Sequence, residues 1–145
     1  MISWVFLALG AAIVWGTGYA LTERAVKELP LFVFLAIFYG LSVVFYIAMS
    51  GAFTPWRQAL ASIEPKNLWP EILVGVVCFA LGNILIFMAI QRSNATVANM
   101  IEISYPIFTA LAAWLIFKNM QLTVPVVAGG LLIFSGVLVI YMWEG

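Results

Sequence analysis

The sequence predicts an all-α membrane protein with five transmembrane helices. Three observations carry that prediction. Of 145 residues, 66% are hydrophobic and 8% are charged, too much apolar surface for a soluble domain of this size to cover. Mean hydropathy is +1.15. The apolar residues also gather into five runs, each about 20 residues or longer, enough at 1.5 Å rise to cross a roughly 30 Å hydrocarbon core.

Segment one covers 2–22. It has no basic stretch before it and is longer than a signal-peptide core, so it is expected to stay as a helix. Segment two (31–50) follows Pro30, segment three (70–90) opens on Pro70, and segment five (122–143) has Pro125 in its first turn. At those positions the missing N–H costs little. Segment four, 95–117, is the one with a proline, Pro106, in its interior. The connections 23–30, 91–94 and 118–121 are short. The longer stretch 51–69 contains Trp56, Arg57 and Ile63 and is expected to lie along the headgroups. Trp4, Trp56, Trp69, Trp114, Tyr141 and Trp143 fall near the segment ends, where an aromatic belt sits.

The inventory excludes several function classes. Formal net charge is zero, which leaves no basic face for nucleic acid. There is no histidine and no aspartate; the six acids are glutamates at 23, 28, 64, 71, 102 and 144. Zinc centres, Ser-His-Asp constellations and paired aspartates therefore cannot be built. No enzyme, metal or cofactor is expected, and Cys78 has no second cysteine to pair with. The expected partners are the bilayer of the cell (inner or plasma) membrane and a small-molecule substrate.

Five spans place the two ends of the chain on opposite sides, called A for the N-terminal side and B for the other. Arg57, Lys66 and Lys118 then face side A, while Arg24, Lys27 and Arg92 face side B. An equal count gives the positive-inside rule nothing to act on. It fits a weak orientation signal; it also fits a chain that inserts both ways and pairs as an antiparallel dimer. The second reading is adopted, since such a dimer has the symmetry of inverted-repeat transporters.

The stretch ANMIEISYPIF (98–108) holds two energetic anomalies, Glu102 and Pro106. A charged residue at mid-membrane costs about 3 kcal/mol on insertion scales, and a proline inside a helix costs about 3 kcal/mol or more. Counting from the side B ends gives Glu102 company. Trp15, Tyr39, Asn83, Glu102 and Ser135 each stand seven or eight residues from that end of their own segment, roughly 10–12 Å deep. Asn99, Glu102, Tyr105, Pro106 and Thr109 follow three- and four-residue steps along one stripe. Trp15 pairs in this way with Tyr19, and Tyr39 with Ser42 and Tyr46.

Each position has a plain reading beside the functional one. Asn83 fits a hydrogen bond to a neighbouring helix as well as a binding layer. Trp15 and Tyr39 fit packing as well as aromatic walls, and Tyr19 fits the belt. Glu102 fits an internal ion pair, a protonated core acid, or a site for a proton or a ligand cation. All six Lys and Arg residues stand in or beside the expected loops, and Arg92, just before segment four, is the one cation placed to reach inward. An outside partner for Glu102 is the adopted reading. Pro106 fits a packing kink, or a kink that opens a backbone carbonyl to a site and bends during gating. Gly129 and Gly136, on one stripe of segment five, fit a dimer seam and tight packing within one protomer equally.

Several stretches resemble the EamA-type units of the drug/metabolite transporter superfamily. Trp15-Gly16-Thr17-Gly18-Tyr19 looks like that family's Trp-Gly motif in the first helix. Ala95-Thr96-Val97-Ala98, then Tyr105-Pro106-Ile107-Phe108 with Ala110-Leu111-Ala112, resembles its fourth helix, and Gly129-Gly130-Leu131-Leu132-Ile133 through Gly136-Val137 its last. The likeness runs over nearly the whole chain. It implies a single EamA-like inverted-repeat unit, residues 1–145, whose family commonly joins two such units in one chain. The family often has a glutamate just past the fourth helix, where this sequence has Asn119. The four-helix small multidrug-resistance proteins, more distant relatives, carry their binding glutamate within helix one; here Glu23 is at the end of that segment.

The expected function is secondary active transport of small metabolites, of an amine-containing or cationic kind, by an antiparallel dimer working through alternating access. Glu102 is the expected coupling or binding acid, Asn83, Asn99 and Tyr105 orient polar groups, and Trp15 and Tyr39 form aromatic walls. No ATP-binding loop is present, so a proton or substrate gradient is the expected driving force, as in an antiporter. The alternative is a non-catalytic membrane subunit that pairs with a sister half-transporter or a lipid-carrier translocation complex.

Overall fold

A computed structural model of the chain describes residues 3–53, 55–61, 68–118 and 123–144. All regular structure among them is helical: α1 (Trp4–Glu28), α2 (Leu31–Phe53), α3 (Trp56–Ala61), α4 (Trp69–Arg92), α5 (Ala95–Glu102), α6 (Tyr105–Phe117) and α7 (Val124–Glu144). Five spans are long and apolar enough to cross a membrane, α5 and α6 counting together as one. Most large apolar side chains are exposed along these helices, the surface expected where the surrounding solvent is lipid. Trp56, Trp69, Trp114, Tyr141 and Trp143 are all exposed near helix ends. Ile63, Lys66 and Asn119, and the side chains of Trp4 and Arg57, lie outside the described residues.

The first span differs from its expected end. Residues 23–28 were expected in a connection, but α1 runs on through Glu28 for 25 residues, about 37 Å. Its charged end supports itself by four-residue spacing. Lys27 Nζ donates to Glu23 Oε1 at 2.6 Å, and Arg24 Nε to Glu28 Oε1 at 2.7 Å. Such pairs on exposed helix faces add a few tenths of a kcal/mol each. Arg24 and Lys27 are therefore helical residues with local acids, not free loop cations.

The fold divides into two compact units: Met1–Leu21 with Ser93–Gly145, and Thr22–Arg92. In the Thr22–Arg92 unit the core is Val26, Phe34, Leu35, Ile86, Phe87 and Ile90. The Phe34 and Phe87 rings meet edge to face at 5.0 Å between centroids, and Phe38 joins them at 5.5 Å from Phe34 and 6.1 Å from Phe87. Pro30 shapes the end of α1 here. Having no N–H, it leaves the Val26 carbonyl without its helical donor. Gln91 supplies one instead, its Nε2 donating to Val26 O at 2.6 Å. The Pro30 carbonyl in turn accepts from Val33 and Phe34 N–H at 2.9 and 3.0 Å, which starts α2.

In the other unit the buried residues are alanines, Ala95, Ala98 and Ala110, small enough to let helices approach closely. Asn94 caps α5, its side chain accepting from Val97 N–H at 2.9 Å. α7 meets the start of α6 at Gly130, where a Cβ would lie 3.4 Å from Ile107 Cγ1. A Cβ at Gly129 or Gly136 would meet nothing within 4 Å. The helix contact inside the protomer thus falls one residue away from the expected stripe. Lys118 ends α6 in the left-handed conformation at φ 54, its N–H bonding Trp114 O at 3.0 Å.

Candidate functional site

The site is built on the interruption between α5 and α6. Pro106 has no N–H to give the Glu102 carbonyl four residues earlier, and its ring crowds that carbonyl. The helix therefore stops at Glu102 and restarts at Tyr105, with Pro106 in the first turn of the new helix. The join is a tight turn rather than an open loop. Ser104 N–H bonds Ile101 O at 3.2 Å, and Ile107 N–H bonds Ser104 O at 3.2 Å, the three-residue spacing of a 3₁₀ turn. The expected kink is present as a full break placed next to the acid.

Glu102 is half-buried and accepts a hydrogen bond from the Tyr19 hydroxyl of α1. In the sequence this residue fits both the stripe it shares with Trp15 and the aromatic belt. The continuation of α1 through Glu28 puts Tyr19 well inside the helix. Lys118, the described cation of the same unit, lies over the Trp114 ring at 5.8 Å and forms no ion pair with Glu102 among the described residues. The acid's known partner is a neutral hydroxyl.

Asn99 precedes Glu102 by three residues, on the same stripe of α5. Its Oδ1 is buried and has no hydrogen-bond partner among the described residues. An unmet buried acceptor of this kind costs about 1–3 kcal/mol. Two polar members of the predicted layer bond within their own helices. Asn83 Nδ2 donates to Phe79 O and Ser135 Oγ to Leu131 O, both at 2.8 Å and both within their own helix. Thr17 and Thr109 bond back to Ile13 O and Tyr105 O in the same way. The Asn83 amide thus bonds its own helix rather than a neighbouring one.

The aromatic residues separate as well. Trp15 is 63% exposed and Tyr105 53% exposed, so within this unit Tyr19 is the aromatic residue shown to meet the acid. Tyr39 belongs to the Thr22–Arg92 unit and packs edge to face against Phe38 at 5.3 Å. Ser42 and Tyr46 line an open groove along α2 with Phe38, Leu41 and Phe45.

Among the described residues there is no cluster of acids or cysteine able to hold a metal ion. Chemically, the Glu102 neighbourhood is acceptor-rich: a carboxylate already taking one donor, an amide oxygen with none, and a main-chain carbonyl deprived of its own. Such a set suits a group that brings N–H or O–H donors and positive charge.

No curated protein and no solved structure matches the chain. The EamA-like transporter family model does match, over residues 2–142. That span takes in all five membrane-crossing helices and the break beside Glu102, and the protein belongs to this family of membrane transporters.

Proposed function

We propose that the protein is a secondary transporter of small, amine-containing or cationic metabolites in the cell membrane, with Glu102 as the residue that takes up substrate or proton. The observation that carries this reading is the acid itself, held by a neutral tyrosine hydroxyl next to a helix break. Intramembrane acids are costly to insert and usually mark a transport path. Discontinuous helices likewise place carbonyls and helix ends at transporter sites. The 3₁₀ join at Ser104 serves as the hinge about which α5 moves against α6. A proton or a substrate gradient drives the cycle.

Two copies pack antiparallel, so that each contributes one Glu102. The support for this is the equal split of Lys and Arg between sides, three and three. A tag on Gly145 tests it: in sealed vesicles the tag should be reachable from both sides in comparable amounts. Protection on one side only would contradict the homodimer and favour a partner of opposite topology. The transport reading is tested by uptake of a small amine into vesicles carrying the full chain. Accumulation above protein-free vesicles is expected under an imposed gradient. Correctly inserted protein that moves no amine under any gradient would overturn it.

A further inference from the structure

We infer that Asn99 and Glu102 together form a two-acceptor site that selects a primary ammonium group over N-methylated cations, an inference that rests on the transporter reading of Glu102. The two residues stand one turn apart on one stripe of α5. Tyr19 donates to the Glu102 carboxylate, which leaves that group with further lone pairs to fill. Asn99 Oδ1 is a buried acceptor with no donor among the described residues. The Glu102 main-chain carbonyl has also lost its helical donor to Pro106. The carboxylate, the Asn99 amide oxygen and the Glu102 main-chain carbonyl are three acceptors at this place, beside the Asn99 Nδ2 group, which brings N–H donors of its own.

A ligand that completes the set must carry both charge and several N–H groups. A primary ammonium has three N–H donors on one compact cation. One serves the carboxylate and a second serves Asn99. A trimethylammonium carries the same charge and no N–H, so it satisfies the field of Glu102 and leaves Asn99 unmet. A neutral alcohol meets Asn99 but not the charge. Asn99 is thus the selecting residue, while Glu102 sets the affinity for any cation. α5 starts at Ala95, so Asn99 stands nearer than Glu102 to the side B end.

The test is equilibrium dialysis of the purified full chain against 2-phenylethylamine and its N,N,N-trimethyl analogue. Wild type should bind the primary amine roughly tenfold more tightly, the worth of one unmet hydrogen bond. Asn99→Leu should bring the ratio close to one while the trimethyl cation still binds. Asn99→Ser keeps an acceptor and should keep most of the ratio. A ratio within one sample does not depend on how much of a variant is folded. Equal binding of both cations by wild type, binding of neither, or an unchanged ratio in Asn99→Leu would overturn the inference. Loss of uptake in Glu102→Gln with an unchanged Asn99→Leu ratio would remove amine selection alone. Normal uptake by Glu102→Gln would remove the transporter reading of Glu102 itself.

Discussion

Glu102→Gln is expected to reduce gradient-driven uptake in reconstituted vesicles to the level of protein-free vesicles. The substitution keeps the shape of the side chain and an oxygen that accepts from Tyr19. It removes only the charge and the ability to take up and release a proton. Because no lysine or arginine among the described residues forms an ion pair with Glu102, neutralising it strands no buried countercharge there. That is the usual reason such changes unfold proteins. Insertion should even become easier, since a charged side chain costs about 3 kcal/mol at mid-membrane. The expected result is therefore a well-assembled, inactive protein, checked by uptake and by thermal unfolding on the same preparation. Tyr19→Phe removes a single donor to the carboxylate and should weaken uptake by about ten- to a hundredfold, since a hydrogen bond to a charged group is worth about 1.5–3 kcal/mol.

Phe87→Ala should destabilise the protein by about 3 kcal/mol. Phe87 is 2% exposed and its ring meets both Phe34 and Phe38. In a bilayer, lipid tails are as apolar as the core, so transfer out of water contributes little to helix association. What is lost is dispersion and edge-to-face ring contact, together with the void that α2 and α4 fail to close. Phe79 provides the control on the same helix. It is 77% exposed, and Phe79→Ala should change stability by less than about 0.5 kcal/mol. Unfolding of both variants in mixed detergent micelles checks this. Equal losses at 79 and 87 would mean that the ring cluster does not hold α2 to α4.

The spans could be read from the sequence because length and hydropathy alone define them. A kink beside Glu102 was also legible, since the chemistry of Pro106 acts on the carbonyl four residues before it wherever the helix lies, although its form as a full break into two helices was not. Residues 23–28 misled for a local reason. Four charges in six residues look like a loop, but alternating signs at four-residue spacing continue a helix beyond the membrane. Tyr19 looked close to a boundary for the same reason, because segment one was ended at residue 22 and α1 runs on to Glu28.

Pairwise facts were harder to reach. The glycine stripe on segment five identified a face, yet which glycine meets another helix depends on where Ile107 arrives from α6. Polar residues of the predicted layer and of the Glu102 stripe looked alike in the sequence. Asn83 and Ser135 each had a carbonyl of their own helix within reach, whereas Asn99 Oδ1 was left without a donor. Spacing places a side chain on a stripe, and the neighbouring helix decides whether it is satisfied there.

If Glu102 is the acid on which substrate and proton act, its carboxyl must take up a proton from within the membrane and give way to an amine. A hydrophobic carbodiimide reacts with protonated carboxyls from the lipid phase, and mass spectrometry locates the residue it modifies. Modification is expected at Glu102, with progressive protection by an amine at the concentrations that saturate uptake. Modification of Glu102 to the same extent with and without saturating amine would contradict that role.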